Sequence, residues 1–188
     1  MKQLIISVIG SIAIVSNINA HCGKCSTEGS KEDHGKELAC SSEQLEPYFG
    51  AQTALAGDDL VAAQVASSKL IALANEKGCS LDGESCCSAE IEAASAISEA
   101  KNIADARDAF KDWSNALIGK LDSGHSNEGE LYKMHCPMAF GNQGGSWLQS
   151  NKDLRNPYYG AMMLKCGMIQ QEYRSGENSP VSSEHKHH

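Results

Sequence analysis

Apolar residues recur at every third or fourth position between Ser42 and Ser123, a spacing that predicts amphipathic helices. Ser42 is a suitable cap for the first helix, and the segment 57–59 (Gly-Asp-Asp) would end that helix and cap the second. Gly78 would end the second helix, and Ser88 would start the third. The fourth helix has the clearest apolar stripe, which comprises Ile103, Ala106, Phe110, Trp113, Leu117 and Leu121.

The connections between these helices are short, which makes neighbouring helices antiparallel. From Gly124 to Ile169 the sequence is rich in Gly, Asn, Pro and aromatic residues, and we find no period-two alternation in it. We therefore predict an all-α fold: an antiparallel up-down-up-down four-helix bundle with a long C-terminal loop that carries Met and Cys. A short extra helix is expected within Pro157–Gly167. The expected core and anchor residues are Phe110, Trp113, Trp147, Leu148 and either Tyr158 or Tyr159.

The two ends of the chain differ from the helical part in composition. Residues 1–20 combine Lys2, an apolar stretch and Ala20 at a small-residue cleavage point, which predicts a secretory signal peptide. A retained anchor helix is the alternative. We expect residues 21–41 to form a flexible leader that contains Cys and His, residues 42–169 to form the bundle and its loop, and residues 170–188 to form a disordered tail that contains His. The predicted location is therefore periplasmic or secreted.

The charge balance restricts the class of partner. The 188 residues contain 16 Lys and Arg against 24 Asp and Glu, for a formal net charge of −8. An acidic protein of this kind is a poor partner for nucleic acid or for an anionic membrane surface. No segment after the predicted signal peptide is apolar enough to cross a membrane, so we expect no membrane span in the mature form.

Two short segments concentrate the sulfur of the protein. Tyr132–Met138 and Asn156–Met168 together hold two thiols, one imidazole and five thioethers. Thiolate and thioether sulfur are soft donors that select Cu(I) or Ag(I) over harder cations. Zinc uses Cys and His but seldom Met. These segments therefore predict a site for copper in its Cu(I) form, with silver as an alternative ion.

The spacing within each segment suggests which side chains converge. Alternation along an extended strand would put Met134, Cys136 and Met138 on one side. One helical turn would bring Met162 and Met163 onto the face of Cys166. The predicted metal ligands are Cys136, Met138, Met163, Cys166 and His135. Possible secondary metal donors are Met134, Met162, Met168, His21, Cys22 and Cys25. The alternative is a structural Cys136–Cys166 disulfide with the methionines as core filler.

The remaining cysteines suggest disulfides, because an even number of cysteines in an exported chain is typical of paired ones. The protein has eight cysteines. The loop between the second and third helices would lie beside the start of the first helix, so Cys40 could pair with Cys79, Cys86 or Cys87. A four-thiol metal site is the alternative there. The Cys22-x-x-Cys25 dithiol could hold metal or form a simple disulfide, and the terminal His-x-His-His could collect divalent metals.

One string of motifs resembles a known family. Tyr-x-x-His-Cys-Pro-Met-Ala-Phe begins at Tyr132, Gly-x-x-Trp-Leu follows, and Arg-Asn-Pro-Tyr-Tyr-Gly and Met-Leu-Lys-Cys-Gly end the string at Gly167. This order is similar to an uncharacterised exported bacterial helical domain family. Its members occur alone or at the C-terminus of CusB-type copper/silver efflux adaptor proteins. The resemblance covers roughly residues 43–169 and implies a helical, periplasmic, heavy-metal-related protein with ligands at Cys136, Met138, Met163 and Cys166.

The sequence thus favours a binding protein over an enzyme. It has no Ser/His/Asp signature, paired-carboxylate motif, phosphate-binding Gly loop or nucleotide fingerprint. We expect an exported soft-metal binding protein for copper sequestration or transfer in the cell envelope. Its partners would be the metal ion and a CusB-type adaptor or another copper-handling envelope protein. The alternative is a disulfide-stapled interaction module, without metal, that docks on an efflux or envelope complex.

Overall fold

The structure is a computed structural model that describes residues 42–76, 88–125 and 127–175. Four helices form its larger part, and each packs against the next along the chain. The first helix also contacts the fourth, which closes the four helices around one core. Their bounds are α1 Ser42–Ala56, α2 Leu60–Glu76, α3 Ser88–Glu99 and α4 Ile103–Asp122.

The described helix starts lie where the sequence predicted them, because side chains there satisfy backbone N–H groups that have no partner within the helix. Asp59 Oδ1 accepts a hydrogen bond from Ala62 N at 2.9 Å at the start of α2. Asn102 Oδ1 does the same for Asp105 N at 3.0 Å at the start of α4. The predicted helical part of the fold is therefore confirmed.

The aromatic core of the bundle also matches the prediction. Phe110 and Trp113 of α4 are fully buried. The Tyr48 ring of α1 stacks on Phe110 with 4.9 Å between ring centroids, and it meets Trp113 edge-on at 5.4 Å. Such aromatic pairs add to the hydrophobic stabilisation from burial alone. This cluster joins α1 to α4.

The all-α prediction was wrong for the C-terminal part, which forms a three-stranded antiparallel sheet whose first strand lies between the other two. The alternation is real but only five residues long: Tyr132, Met134 and Cys136 are buried, whereas Lys133 and His135 are half-buried. A pattern this short is easily read as loop. The strands are β1 Leu131–Cys136, β2 Gly145–Gln149 and β3 Met168–Tyr173.

A buried hydroxyl joins the sheet to the bundle. Tyr48 Oη accepts a hydrogen bond from Leu148 N on β2 at 2.9 Å, and it bonds to Ser114 Oγ on α4 at 2.8 Å. Burial raises the pKa of Tyr48 well above its usual value, so the hydroxyl keeps its proton at neutral pH. Trp147 and Leu148 are fully buried and Tyr158 nearly so, which confirms them as anchors of this region.

Two short turns complete the described chain. α5, Ala139–Asn142, is a single irregular turn in which Phe140 has a left-handed backbone (φ +52°). A 3-10 helix, Gly160–Met163, lies within the predicted extra helix. β3 continues to Tyr173, beyond the expected domain end at residue 169. Among the described residues, no helix has the length and apolar character needed to span a membrane.

Candidate functional site

Cys136 is held by the central strand of the sheet. It is the last residue of β1, where it pairs with Gly145 of β2. Its side chain points to the same face as Met134, and both are fully buried. The β1–β3 ladder ends one residue earlier, at His135 and Met168, so pairing with β2 holds the backbone of Cys136.

Cys166 reaches the same place from the loop before β3. Its N–H donates to Met163 O at 3.0 Å, which continues the turn begun by the 3-10 helix. Its carbonyl accepts from Asn156 Nδ2 at 2.8 Å. The next residue, Gly167, has φ +141°, and a Cβ there would lie 2.9 Å from His135 O. Glycine therefore lets the loop cross close to β1.

The two thiols meet although they are 30 residues apart in sequence. Cys136 Sγ and Cys166 Sγ lie 3.3 Å apart, both cysteines are free, and Cys166 is only partly buried. The hydrogen bond with Cys136, followed by burial, raises the pKa of the Cys166 thiol. The structure therefore brings together the two cysteines that the sequence analysis paired.

The two sulfur atoms need to move only a short distance either to share a metal ion or to form a disulfide. Two sulfurs that each lie about 2.3 Å from one metal ion are roughly 3.7–4.6 Å apart, depending on the angle between the bonds. From the 3.3 Å found here, the thiols would separate by about 0.4–1.3 Å to share an ion. A disulfide of about 2.05 Å would instead need an approach of about 1.3 Å. The geometry is compatible with both.

The predicted thioether ligands lie in the same two segments as the thiols. Met138 follows Cys136 by two residues and is 44% exposed, and Met163 is half-buried. Tyr159 Oη donates to Met138 O at 2.5 Å, which ties the Cys-Pro-Met turn to the start of the 3-10 helix. Met138 itself lies beyond the end of β1, so it does not share the strand face of Cys136 as the alternation had suggested.

The other methionines have different surroundings. Met134 is buried in the core beneath the sheet, as expected of a core side chain. Met162 is 79% exposed and Met168 is 58% exposed. Of these three, Met134 lies on the strand face of Cys136, whereas Met162 and Met168 are largely exposed.

His135 lies on the opposite face of β1 from Cys136, since side chains alternate along a strand. Its ring Nδ1 and Ser146 Oγ form a hydrogen bond at 2.9 Å, and its partner on β3 is Met168. The part of the chain that the structure describes contains no group of three or more His, Cys, Asp or Glu side chains placed to hold a metal.

Sequence reasoning missed an ion pair that fixes the segment before Cys166. Arg107 Nη2 lies 2.6 Å from Asp58 Oδ1, and Arg107 Nε donates to Pro157 O at 2.8 Å. Asp58 Oδ2 accepts from Ala161 N at 2.8 Å. A Cβ on Gly160, whose φ is +58°, would collide with both charged side chains. We call Asp58 and Arg107 the bundle clamp, because they hold residues 157–161 against α1 and α4.

The bundle clamp also affects the ionisation of its acid. The hydrogen bond from Ala161 N–H, followed by that from Arg107, lowers the pKa of Asp58. The sequence analysis had read Asp58 only as part of the Gly-Asp-Asp segment that ends the first helix and caps the second. The signal that could have revealed its second role is the Asn-Pro-Tyr-Tyr-Gly run, whose unpaired backbone groups need partners.

Several predicted residues lie outside the described part of the chain. These include the predicted signal peptide, the whole leader, most of the tail, and every residue of the proposed Cys40 disulfides. His125 is described, and it is exposed, with Nδ1 at 2.9 Å from Ser123 Oγ. The undescribed candidates are His21, Cys22, Cys25, Cys40, Cys79, Cys86, Cys87 and the three terminal histidines.

Comparison with known proteins bears on the bundle. Residues 45–129 match a family model described as protein of unknown function (DUF3347). This supports an uncharacterised domain family for that part of the chain. The matched range runs from α1 through α4 and ends before β1, so it includes neither Cys136 nor Cys166. No curated protein and no solved structure matches the chain.

Proposed function

We propose that this protein binds Cu(I) through the thiolates of Cys136 and Cys166, with the thioethers of Met138 and Met163 completing the shell. The single observation that carries this proposal is the 3.3 Å separation of the two thiols. Their carrier segments approach each other through β1, the loop before β3 and the bundle clamp. Two thiolates held this way form a chelate that a monovalent soft ion can enter with little rearrangement.

The methionines argue for a soft ion. Met138 and Met163 flank the two cysteines, and both reach at least partly to the surface. Thioethers bind Cu(I) and Ag(I) well and add little for harder ions. Because Cu(I) also exchanges thioether ligands easily, an incoming donor could replace Met138 before either thiolate is displaced. The site therefore suits an ion that is passed on as well as one that is stored.

The cellular role follows from the sequence and belongs to the same proposal. We infer an exported protein that sequesters or transfers copper in the cell envelope, with a CusB-type adaptor or another copper-handling protein as its partner.

We also infer that α1 to α4 run up-down-up-down, since the connections α1–α2 and α3–α4 are only three residues long. No catalytic activity is proposed.

A competition titration tests the binding proposal. Reduced, metal-free protein is titrated with Cu(I) against a chromophoric chelator, and bound copper is quantified after desalting. We expect the wild type to withdraw one equivalent more Cu(I) than the Cys136→Ser/Cys166→Ser variant. Met162→Leu and His125→Ala serve as controls and should bind as the wild type does, whereas Met138→Leu and Met163→Leu should bind more weakly.

The same titration can also contradict the proposal. A wild type that competes no better than the double cysteine variant would remove copper binding at this site. The disulfide-stapled interaction module would then be the better account.

A further inference from the structure

We propose that Cys136 and Cys166 also form a redox-active pair that reacts with disulfides in solution, and that every such reaction enters through Cys166. The substrate class is a low-molecular-weight or protein disulfide. This inference goes beyond copper binding, since it concerns the metal-free, reduced protein. It rests on the separation of the two thiols and on the difference in their exposure.

The two sulfurs differ in access to solvent. Cys136 is fully buried at the end of the central strand, whereas Cys166 is partly exposed in a loop. Thiol–disulfide exchange requires a thiolate to approach the disulfide in line with the S–S bond. An external disulfide can reach Cys166 without disrupting the sheet. It can reach Cys136 only if β1 or the loop before β3 opens.

The exchange proceeds in two balanced steps. In the first, Cys166 sulfur attacks an external disulfide RSSR, a Cys166–S–S–R bond forms, and one RS⁻ leaves and takes up the proton that Cys166 lost. In the second, Cys136 sulfur attacks Cys166 Sγ, the Cys136–Cys166 bond forms, and the second RS⁻ leaves with the proton from Cys136. Two protein thiols are oxidised, and one RSSR is reduced to two RSH.

The local backbone favours this order. The second step needs the sulfurs to close from 3.3 Å to about 2.05 Å. Cys136 is held at the end of β1 by its pairing with Gly145 of β2, so the movement falls to Cys166, which lies between the 3-10 helix and Gly167. The buried thiol is thus placed to resolve a mixed disulfide on its exposed neighbour.

The consequence for copper is direct. A disulfide sulfur carries no thiolate charge and is a poor ligand, so oxidation of the pair would release Cu(I). The ratio of disulfides to thiols in the surrounding solution would then determine whether Cys136 and Cys166 can bind Cu(I).

Peptide mapping after reaction with oxidised glutathione tests the inference on the full chain. Trypsin separates the two cysteines, because cleavage after Lys133 and Lys152 gives a peptide with Cys136, and cleavage after Lys165 and Arg174 gives one with Cys166. We expect Cys136→Ser to accumulate glutathione on Cys166 at least about tenfold faster than Cys166→Ser accumulates it on Cys136. In denaturant the two rates should become similar, which shows that folding causes the difference.

The wild type supplies a measurement that needs no substitution. Glutathione should appear first on the Cys166 peptide and then give way to a disulfide between the two peptides. Equal labelling of Cys136 and Cys166 in the folded variants would overturn the inference, and so would a mixed disulfide that persists in the wild type. Because no copper is present, failure here would leave the copper titration unaffected.

Discussion

At the scale of single residues, Asn156 does more for the site than its position before a proline suggests. Its side chain is completely buried. Nδ2 donates to Cys166 O and Oδ1 accepts from Tyr158 N, each at 2.8 Å, while its backbone N–H donates to Leu164 O, also at 2.8 Å. One residue therefore fixes both ends of the loop that carries the accessible thiol.

We predict that Asn156→Asp lowers both the free energy of unfolding and the affinity for Cu(I). The substitution keeps the acceptor for Tyr158 but replaces the donor to Cys166 O by a buried carboxylate oxygen. The expected loss is roughly 2–4 kcal/mol, because a buried carbonyl is left unpaired beside a charge. Urea denaturation gives the stability and the chelator competition gives the affinity.

Asn151→Asp is the matched control for this change. Asn151 is exposed, and its Oδ1 accepts from Asp153 N at 3.0 Å, a bond that Asp can also make. Its variant should unfold at the wild-type denaturant midpoint. Equal midpoints for the Asn151 and Asn156 variants would show that the buried amide does not hold the loop.

Sequence reasoning could bring residues together only where the chemistry is specific to a residue type. Cys136 and Cys166 were paired because they lie in two sulfur-rich motifs. His135 was grouped with them by proximity in sequence, although a strand turns successive side chains to opposite faces. The role of Asn156 could not be foreseen, since its partners depend on how a loop folds back on itself.

At the scale of elements, the helices and the sheet differ in how far they could be predicted. α4 shows an apolar stripe over five turns, and local capping residues mark its start, so its bounds follow from neighbouring residues alone. β1 and β3 pair across about 30 residues, and β3 is largely exposed. Their pairing depends on contacts distant in sequence, which a short pattern does not specify.

The bundle clamp provides a prediction about pH. The pKa of Asp58 is lower in the folded protein than in the unfolded chain, because Ala161 N–H and Arg107 favour the carboxylate. A lowered pKa contributes stability that is present above the unfolded value, about 4, and is lost as the pH falls through the folded value. Asp58→Asn should therefore be less stable than the wild type at pH 7 and should approach it in stability in acid.

Urea denaturation at pH 7 and at successively lower pH values below about 4 measures this difference, which should shrink as the pH falls. Asp108→Asn is the control, since Asp108 is an exposed side chain on the same helix as Arg107. Its effect should be small at every pH value. A deficit for Asp58→Asn that is as large in acid as at neutral pH would mean that the carboxylate charge does not stabilise the clamp.

At the scale of the whole molecule, the bundle acts as the support on which the sheet and its thiols are fixed. Tyr48 binds the backbone of β2, and the bundle clamp binds the segment before Cys166. The Phe110 ring packs against the bundle and against the C-terminal part: its centroid lies 4.9 Å from that of Tyr48 on α1 and 6.3 Å from that of Tyr158. Removal of this ring should therefore weaken the packing of both the bundle and the sheet.

We predict that Phe110→Ala destabilises the protein by roughly 3–5 kcal/mol, as expected for a fully buried aromatic ring replaced by a cavity. Val65→Ala is the control, because Val65 is 55% exposed on α2 and should change the stability by less than about 0.5 kcal/mol. Chemical denaturation measures both. A change for Phe110→Ala as small as that for Val65→Ala would contradict the placement of this ring in the core.

The central claim is that Cys136 and Cys166 bind the same copper ion. A double-mutant cycle measured by Cu(I) competition on the reduced protein tests it most directly, with the wild type, Cys136→Ser, Cys166→Ser and the double variant compared. If one ion bridges both sulfurs, each single variant loses nearly all of the affinity and the double variant loses little more. Losses that simply add, or a double variant that binds as tightly as the wild type, would contradict the claim.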